Sequence, residues 1–157
     1  KYLLLEDEDR LIGARSIPLV VKQRMDEAKL ILINESLEFR VEQVLQDYVV
    51  SLSQEFESYY AEQGLEYYKA FLLKGCQKIA KRLGGANFKI VVQLIEQAIQ
   101  HQKSSGVLDL HKNWINFLLK NYYDPMYRYQ IAKKQKRVVF EGDSKAVDHY
   151  LSQLPHL

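Results

Sequence analysis

The chain has 157 residues, 47% of them hydrophobic, with 22 Lys and Arg against 20 Asp and Glu for a net charge of +2. That is long and apolar enough to bury a core, which excludes a disordered or fibrous chain, and too weakly basic to mark a nucleic-acid binder except through local clustering. One cysteine, Cys76, excludes an intramolecular disulfide and a cysteine-rich metal site, no run is apolar enough to cross a bilayer, and a reducing, cytoplasmic setting is expected.

The sequence opens on Lys1 rather than Met and enters directly on an apolar run, residues 2–5, as the later part of a longer polypeptide would. The run predicts a buried parallel strand ended by the acids of EDEDR. Ligands gather at the carboxyl ends of such strands, so Glu6, Asp7 and Glu8 are candidates to hold a metal-bound water, against the plainer reading of a solvated acidic loop. Ser16 can cap a helix with Pro18 in its first turn, and residues 30–33 predict a second strand, completing a βαβ unit. Ser36 starts a long amphipathic helix through Val41, Leu45, Tyr48, Leu52, Phe56 and Tyr59, bent near Ser51. Arg40 sits near its start, just past a strand end. There it either reaches a phosphate, as in nucleotide kinases, or is a solvated arginine pairing with Glu38 or Glu42.

Gly64 marks a turn, after which Leu65, Tyr68, Leu72, Cys76, Ile79 and Leu83 form one stripe, making the Cys76 thiol a core hydrophobe. Gly84-Gly85 ends that helix, another follows to Ser104-Ser105-Gly106, and the two predict a helical hairpin. Asp109 opens a helix bearing His111, Trp114, Ile115 and Leu118, with His111 either packed against Trp114 or catalytic. The remaining histidines, His101, His149 and His156, are scattered, so no metal-ligand spacing appears.

Residues 121–143, NYYDPMYRYQIAKKQKRVVFEGD, carry the densest chemistry. Asp124-Pro125 predicts a helix start with Asp as the cap. Tyr122, Tyr123, Tyr127 and Tyr129 with Arg128, then Lys133, Lys134, Lys136 and Arg137, suit unstacked bases and phosphates. They equally suit a half-buried tyrosine pair and a basic last turn that complements the helix dipole. Residues 137–140 predict a third strand, Gly142 a turn, and residues 144–154 a closing helix with Val147, Tyr150, Leu151 and Leu154 inward.

The run YYDPMYRYQ with its lysine-rich turn and VVFEG strand resembles the C-terminal signature of the bacterial tRNA 2-selenouridine synthases. LEDEDRLIG, with Arg10, Ile12 and Gly13, and the His111–Trp114 pair resemble further stretches of that family. The resemblance implies an α/β fold, the C-terminal half of a P-loop kinase-like three-layer domain with few short parallel strands and a large all-helical insertion. Its segments would be 1–50 for the half-sheet, 51–136 for the insertion and 137–157 for the last strand and helix.

The resemblance also implies a transferase that converts wobble 2-thiouridine to 2-selenouridine through S-geranyl-2-thiouridine, using geranyl diphosphate and selenophosphate, with Mg among the expected cofactors. Its partners would be the tRNAs for Lys, Glu and Gln and a selenophosphate donor enzyme. Site roles carried over are catalysis for Glu6, Asp7, Glu8 and His111, phosphate binding for Arg10 and Arg40, and RNA binding for Tyr123, Tyr127, Arg128, Lys133, Lys134 and Arg137. No G-x-x-x-x-G-K-[ST] occurs and no rhodanese-type loop surrounds Cys76, so these parts are expected elsewhere in the full-length protein and the chain alone is expected to be inactive. Without the strand that bears the phosphate loop, residues 30–33 and 137–140 are expected to pair in parallel. Residues 2–5 would then be displaced or completed by another chain. The alternatives are a non-catalytic helical module that binds RNA or protein, and an ordinary nucleotide or small-molecule kinase.

Overall fold

Apolar residues recurring every three or four positions make most of this protein helical, and a computed structural model describes residues 3–154. It divides into two compact units, one of residues 36–130 and one of the residues up to Glu35 and from Ile131 onward. The units change at Ser36 and Ile131, whereas the sequence segments change at 51 and 137; the helix that Ser36 starts packs within the helical unit.

In the helical unit, α2 (Leu37–Leu45) is capped by Ser36, whose Oγ accepts from the Phe39 N–H at 3.1 Å. The chain continues without a break through a π-helical segment (Gln46–Ser51) into α3 (Leu52–Tyr60), and this segment stands where the bend was expected. The Tyr48 carbonyl in that widened turn accepts from the Tyr68 hydroxyl at 2.7 Å. A left-handed Ala61 (φ 48°) turns the chain into α4 (Gly64–Leu83). Gly64 is required there: a Cβ would lie 2.5 Å from the Glu57 Cα, so only glycine lets α4 start this close to α3.

Gly84 (φ 85°) separates α4 from α5 (Gly85–Ser105), and Gly106 (φ 72°) ends α5 in the left-handed conformation. Next come α6 (His111–Leu118), a second π-helical segment (Leu119–Tyr123) and α7 (Asp124–Lys134). Asp124 itself is helical (φ −62°, ψ −42°), so it is not the expected cap. The helix runs through it, and the π turn immediately upstream absorbs the missing N–H of Pro125. Tyr68, Val49, Val91, Ile95 and Ile115 form the centre of the core, with Cys76 buried among them as predicted.

The other unit opens differently from the prediction. Leu3, Leu4 and Leu5 are exposed and form no strand, and Tyr2 lies outside the described residues. The βαβ unit is therefore not formed by the described residues. A small antiparallel hairpin, β1 (Leu11–Ile12) with β2 (Arg15–Ser16), turns at Gly13 (φ 61°) and takes Ser16 as a strand residue. Ser16 therefore caps nothing, and α1 (Leu19–Glu27) starts after Pro18 without a side-chain cap.

β3 (Leu30–Ile33) pairs in parallel with β4 (Val138–Gly142), as expected, in the register Leu30 to Val138 and Ile33 to Gly142 with an irregularity after Leu30. β4 leads into α8 (Ser144–Ser152), capped by Asp143, which accepts from the Ala146 N–H at 2.8 Å. The Phe140 and Tyr150 rings stack at 4.3 Å. Only Val147 is buried among this unit's described residues. β3 is wholly aliphatic, the composition of a strand covered on both faces, yet Ile33 is 62% exposed.

Candidate functional site

The predicted site residues divide between the two units. In the α/β unit, Glu6, Asp7 and Glu8 lie in an extended segment. Asp7 accepts from Lys134 Nζ at 2.5 Å, while among the described residues no cation pairs with Glu6 or Glu8. Among the described residues no group of three or more His, Cys, Asp or Glu converges to hold a metal ion, so the three acids do not form a ligand set. Arg10 is exposed, its backbone N–H bound to the Asp9 carboxylate at 2.7 Å.

Arg137 does not face outward as an RNA contact. Its guanidinium donates to the carbonyls of Ala28 (2.8 Å) and Met25 (2.5 Å) at the end of α1, where the Met25 carbonyl also accepts the Ala28 N–H at 3.2 Å. The carboxyl ends of β3 and β4, where a parallel sheet takes ligands, are occupied by the protein's own groups. Asn34 donates to the Gly142 carbonyl at 2.8 Å and to the Glu141 carboxylate at 3.0 Å. Glu35 accepts from the Ser144 N–H at 2.7 Å and from its hydroxyl, filling the N-terminus of α8 with a carboxylate. The prediction missed Glu35; its signal was an acid two residues past the second strand.

In the helical unit, Arg40 is held by Asp124 in a two-pronged ion pair, Nη1 to Oδ1 at 2.5 Å and Nη2 to Oδ2 at 3.1 Å. The hydrogen bonds from Arg40 hold the Asp124 carboxyl below its ordinary range and push the guanidinium up in return. Arg40 Nε is buried and has no hydrogen-bond partner among the described residues. The sequence offered this arginine either a phosphate or a pairing with Glu38 or Glu42. Glu42 instead pairs with Lys112, and nothing in the sequence links Arg40 to a residue 84 positions away.

Arg128 Nε donates to the Asp124 carbonyl at 3.3 Å, one turn back along α7. The tyrosines split. Tyr122 is buried and Tyr123 half-buried, their rings edge to face at 4.9 Å, and burial pushes the Tyr123 hydroxyl up. Tyr127 and Tyr129 stand 52% and 65% exposed, with Tyr127 stacked on Tyr123 at 6.5 Å. The cluster therefore divides: Tyr122 and Tyr123 pack against the core, while Tyr127, Arg128 and Tyr129 are exposed.

His111 is fully buried. Trp114 Nε1–H donates to its Nδ1 at 2.9 Å, which places the ring proton on Nε2, where it is donated to Gln102 Oε1 at 2.9 Å. Burial lowers its pKa to about 4, so the ring is neutral. With both nitrogens engaged and no solvent contact, His111 cannot reach a substrate. Its role is to join α5 to α6, and Gln102 was the partner the prediction lacked.

The family described as tRNA 2-selenouridine synthase AAA domain matches residues 1–156. Proteins named tRNA 2-selenouridine synthase are similar throughout. The protein of Pseudomonas putida strain F1 is 42% identical over 94% of this chain and 40% of its own length. That of Cupriavidus necator is 43% identical over 96% of the chain and 41% of its own length. That of Pseudomonas aeruginosa PAO1 is 41% identical over the same shares. No solved structure matches. The chain thus spans about two fifths of the length of these relatives, and among the described residues no helix is long and apolar enough to cross a membrane. On this evidence the chain belongs to the family of the tRNA 2-selenouridine synthase AAA domain.

Proposed function

We propose that this chain works as part of a tRNA-modifying transferase that replaces the sulfur of wobble 2-thiouridine by selenium through an S-geranyl intermediate. Geranyl diphosphate and selenophosphate would be its substrates, and the tRNAs for Lys, Glu and Gln its acceptors. The observation that carries the reading is the identity of 41–43% across almost the whole chain with proteins named for that synthase.

The chain's own residues do not make a diphosphate site. The Arg40 guanidinium is taken by Asp124, Arg10 stands alone, and no phosphate-loop motif occurs in the sequence. We therefore place the phosphate loop and the sulfur-handling cysteine in the remainder of a longer enzyme, and the parallel β3–β4 pair in a P-loop kinase-like sheet that this remainder completes. The part assigned to this chain is RNA recognition, supported by exposed Tyr127 and Tyr129 beside Arg128 on α7. A second reading, a non-catalytic RNA-binding helical module, is favoured by one observation: nearly all buried residues lie in the helical unit.

The test replaces Tyr127→Ala with Arg128→Glu in the full-length protein and measures tRNA affinity across a salt series. Loss of one phosphate contact lowers the salt slope by about 0.7–0.9 and loss of a stacked base weakens binding by about 1–3 kcal/mol. Unchanged affinity and slope would remove α7 from the interface. Selenation of tRNA by the full-length protein separates the enzyme from the module.

A further inference from the structure

The longest one-sign stretch of the sequence lies outside α7. Between Glu66 and Glu96 it holds Lys69, Lys74, Lys78, Lys81, Arg82 and Lys89 and no Asp or Glu, in a chain whose net charge is only +2. Lys69 pairs with Glu96 at 4.0 Å, and among the described residues the other five have no ion-pair partner.

Four of them share a face. Tyr67, Phe71, Lys74, Lys78 and Arg82 recur every three or four residues along α4, with Lys81 beside them. All are exposed, on the side of the helix opposite its buried residues Tyr68, Leu72, Cys76 and Leu83. At the aromatic end Tyr60 lies against Tyr67 with ring centres 4.4 Å apart, and Phe71 meets Phe56 at 5.6 Å. The face therefore passes from an aromatic ledge to a row of cations, and Lys89 is exposed near the N-terminus of α5.

This charge works against folding. Like charges one turn apart on a helix repel, so the series Lys74, Lys78, Arg82 destabilises α4. Only Lys81 and Arg82 are placed to gain from the C-terminal end of the helix dipole, and Lys89 sits towards the unfavourable end of α5. An arrangement costly to the free protein, with no carboxylate to relieve it, fits an anionic partner. An interfacial membrane helix carries a continuous apolar face, whereas here the exposed rings are confined to one end of α4 and the rest of the row is Lys74, Lys78, Lys81 and Arg82. Flat rings beside unpaired cations suit a nucleic-acid strand.

We propose that the outer face of α4 is a second RNA-binding surface, with phosphates on Lys74, Lys78, Lys81 and Arg82 and unstacked bases against Tyr60, Tyr67 and Phe71. It rests on the reading that the protein handles tRNA, and assigns a contact separate from that of α7.

The test is the triple variant Lys74→Glu, Lys78→Glu, Arg82→Glu in the full-length protein, with Tyr67→Ala as a second variant. All four residues are exposed, and circular dichroism checks that the fold is kept. tRNA binding is measured across a NaCl series. The triple variant is expected to bind at least about tenfold more weakly at 0.1 M salt, with a slope shallower by about 2–3, as loss of three phosphate contacts requires. Tyr67→Ala is expected to weaken binding without changing the slope. If the wild type binds tRNA and both variants match it in affinity and slope, the inference is overturned while the proposed function stands. A wild type that does not bind tRNA overturns both. Vesicles of phosphatidylcholine and phosphatidylserine are the control: retention of the wild type but not of the triple variant would assign the face to a membrane and overturn the RNA surface.

Discussion

Arg40 and Asp124, 84 residues apart, meet through two parallel hydrogen bonds of 2.5 and 3.1 Å, so the aspartate that reads as a helix cap ties α7 to α2 instead. Both side chains keep some solvent, so screening holds the pair itself to about 1 kcal/mol. Asp124→Asn is expected to destabilise the protein by about 1–2 kcal/mol in urea unfolding at pH 7, because it also leaves a partly buried guanidinium short of a counter-charge. The folded-state pKa of Asp124 lies below its ordinary 3.8, so this contribution is present above pH 3.8 and lost as pH falls through the lower folded value. The variant should show a flatter loss of stability in that acid range, and a loss as steep as that of the wild type would show that Asp124 does not carry it.

His111 acts in a different pH window. Its folded pKa of about 4 lies below the ordinary 6.5, so the stability it contributes as a neutral ring is complete above pH 6.5 and falls away between 6.5 and about 4. The full effect is on the order of 3 kcal/mol. His111→Phe should abolish that slope while leaving the acid step of Asp124 in place. It should also destabilise at pH 7, since the Trp114 N–H and the Gln102 amide lose their partners. A pH profile between 4 and 6.5 identical to that of the wild type would contradict the neutral, doubly bonded ring.

Arg137→Ala should loosen α1 rather than RNA binding. The guanidinium satisfies the Ala28 and Met25 carbonyls, and hydrogen bonds from a charged donor are worth about 1.5–3 kcal/mol each before solvent competes. Faster amide hydrogen exchange confined to residues 19–29 is the expected result. A change in tRNA affinity with exchange unaltered would return Arg137 to the interface.

Two glycines separate packing from propensity. Gly64→Ala places a methyl against the Glu57 backbone and should cost about 1–3 kcal/mol. Gly75→Ala, exposed within α4 with nothing near its new Cβ, should stabilise by about 0.5–1 kcal/mol. Thermal melts of the two variants should move in opposite directions.

The helices were legible in the sequence because their apolar spacing and glycine punctuation are local: Gly84-Gly85 and Gly106 end the elements predicted, and Ser36 caps where expected. The parallel pairing of β3 with β4 was expected from the family resemblance, as the outcome in a sheet without its phosphate-loop strand. The exposure of residues 3–5 was not legible, since a short apolar run becomes a strand only beside a partner strand. Ser16 went to a hairpin that two-residue strands do not announce. At the candidate site, Tyr127 and Arg128 are exposed, whereas His111 is held by the side chains of Gln102 and Trp114, Arg40 by a carboxylate 84 residues away and Arg137 by backbone carbonyls. The cationic face of α4 was hidden by the way helices are read, since attention to the apolar stripe passes over the side that faces away from it.

The most direct measurement is photo-cross-linking of the full-length protein to its tRNA, with the cross-linked peptides identified by mass spectrometry. Cross-links at Tyr127 or Tyr129 on α7 and at Tyr60, Tyr67 or Phe71 beside and along α4 are the predicted result. Cross-links confined to residues outside this chain would contradict its assignment as the RNA-recognising part of the enzyme.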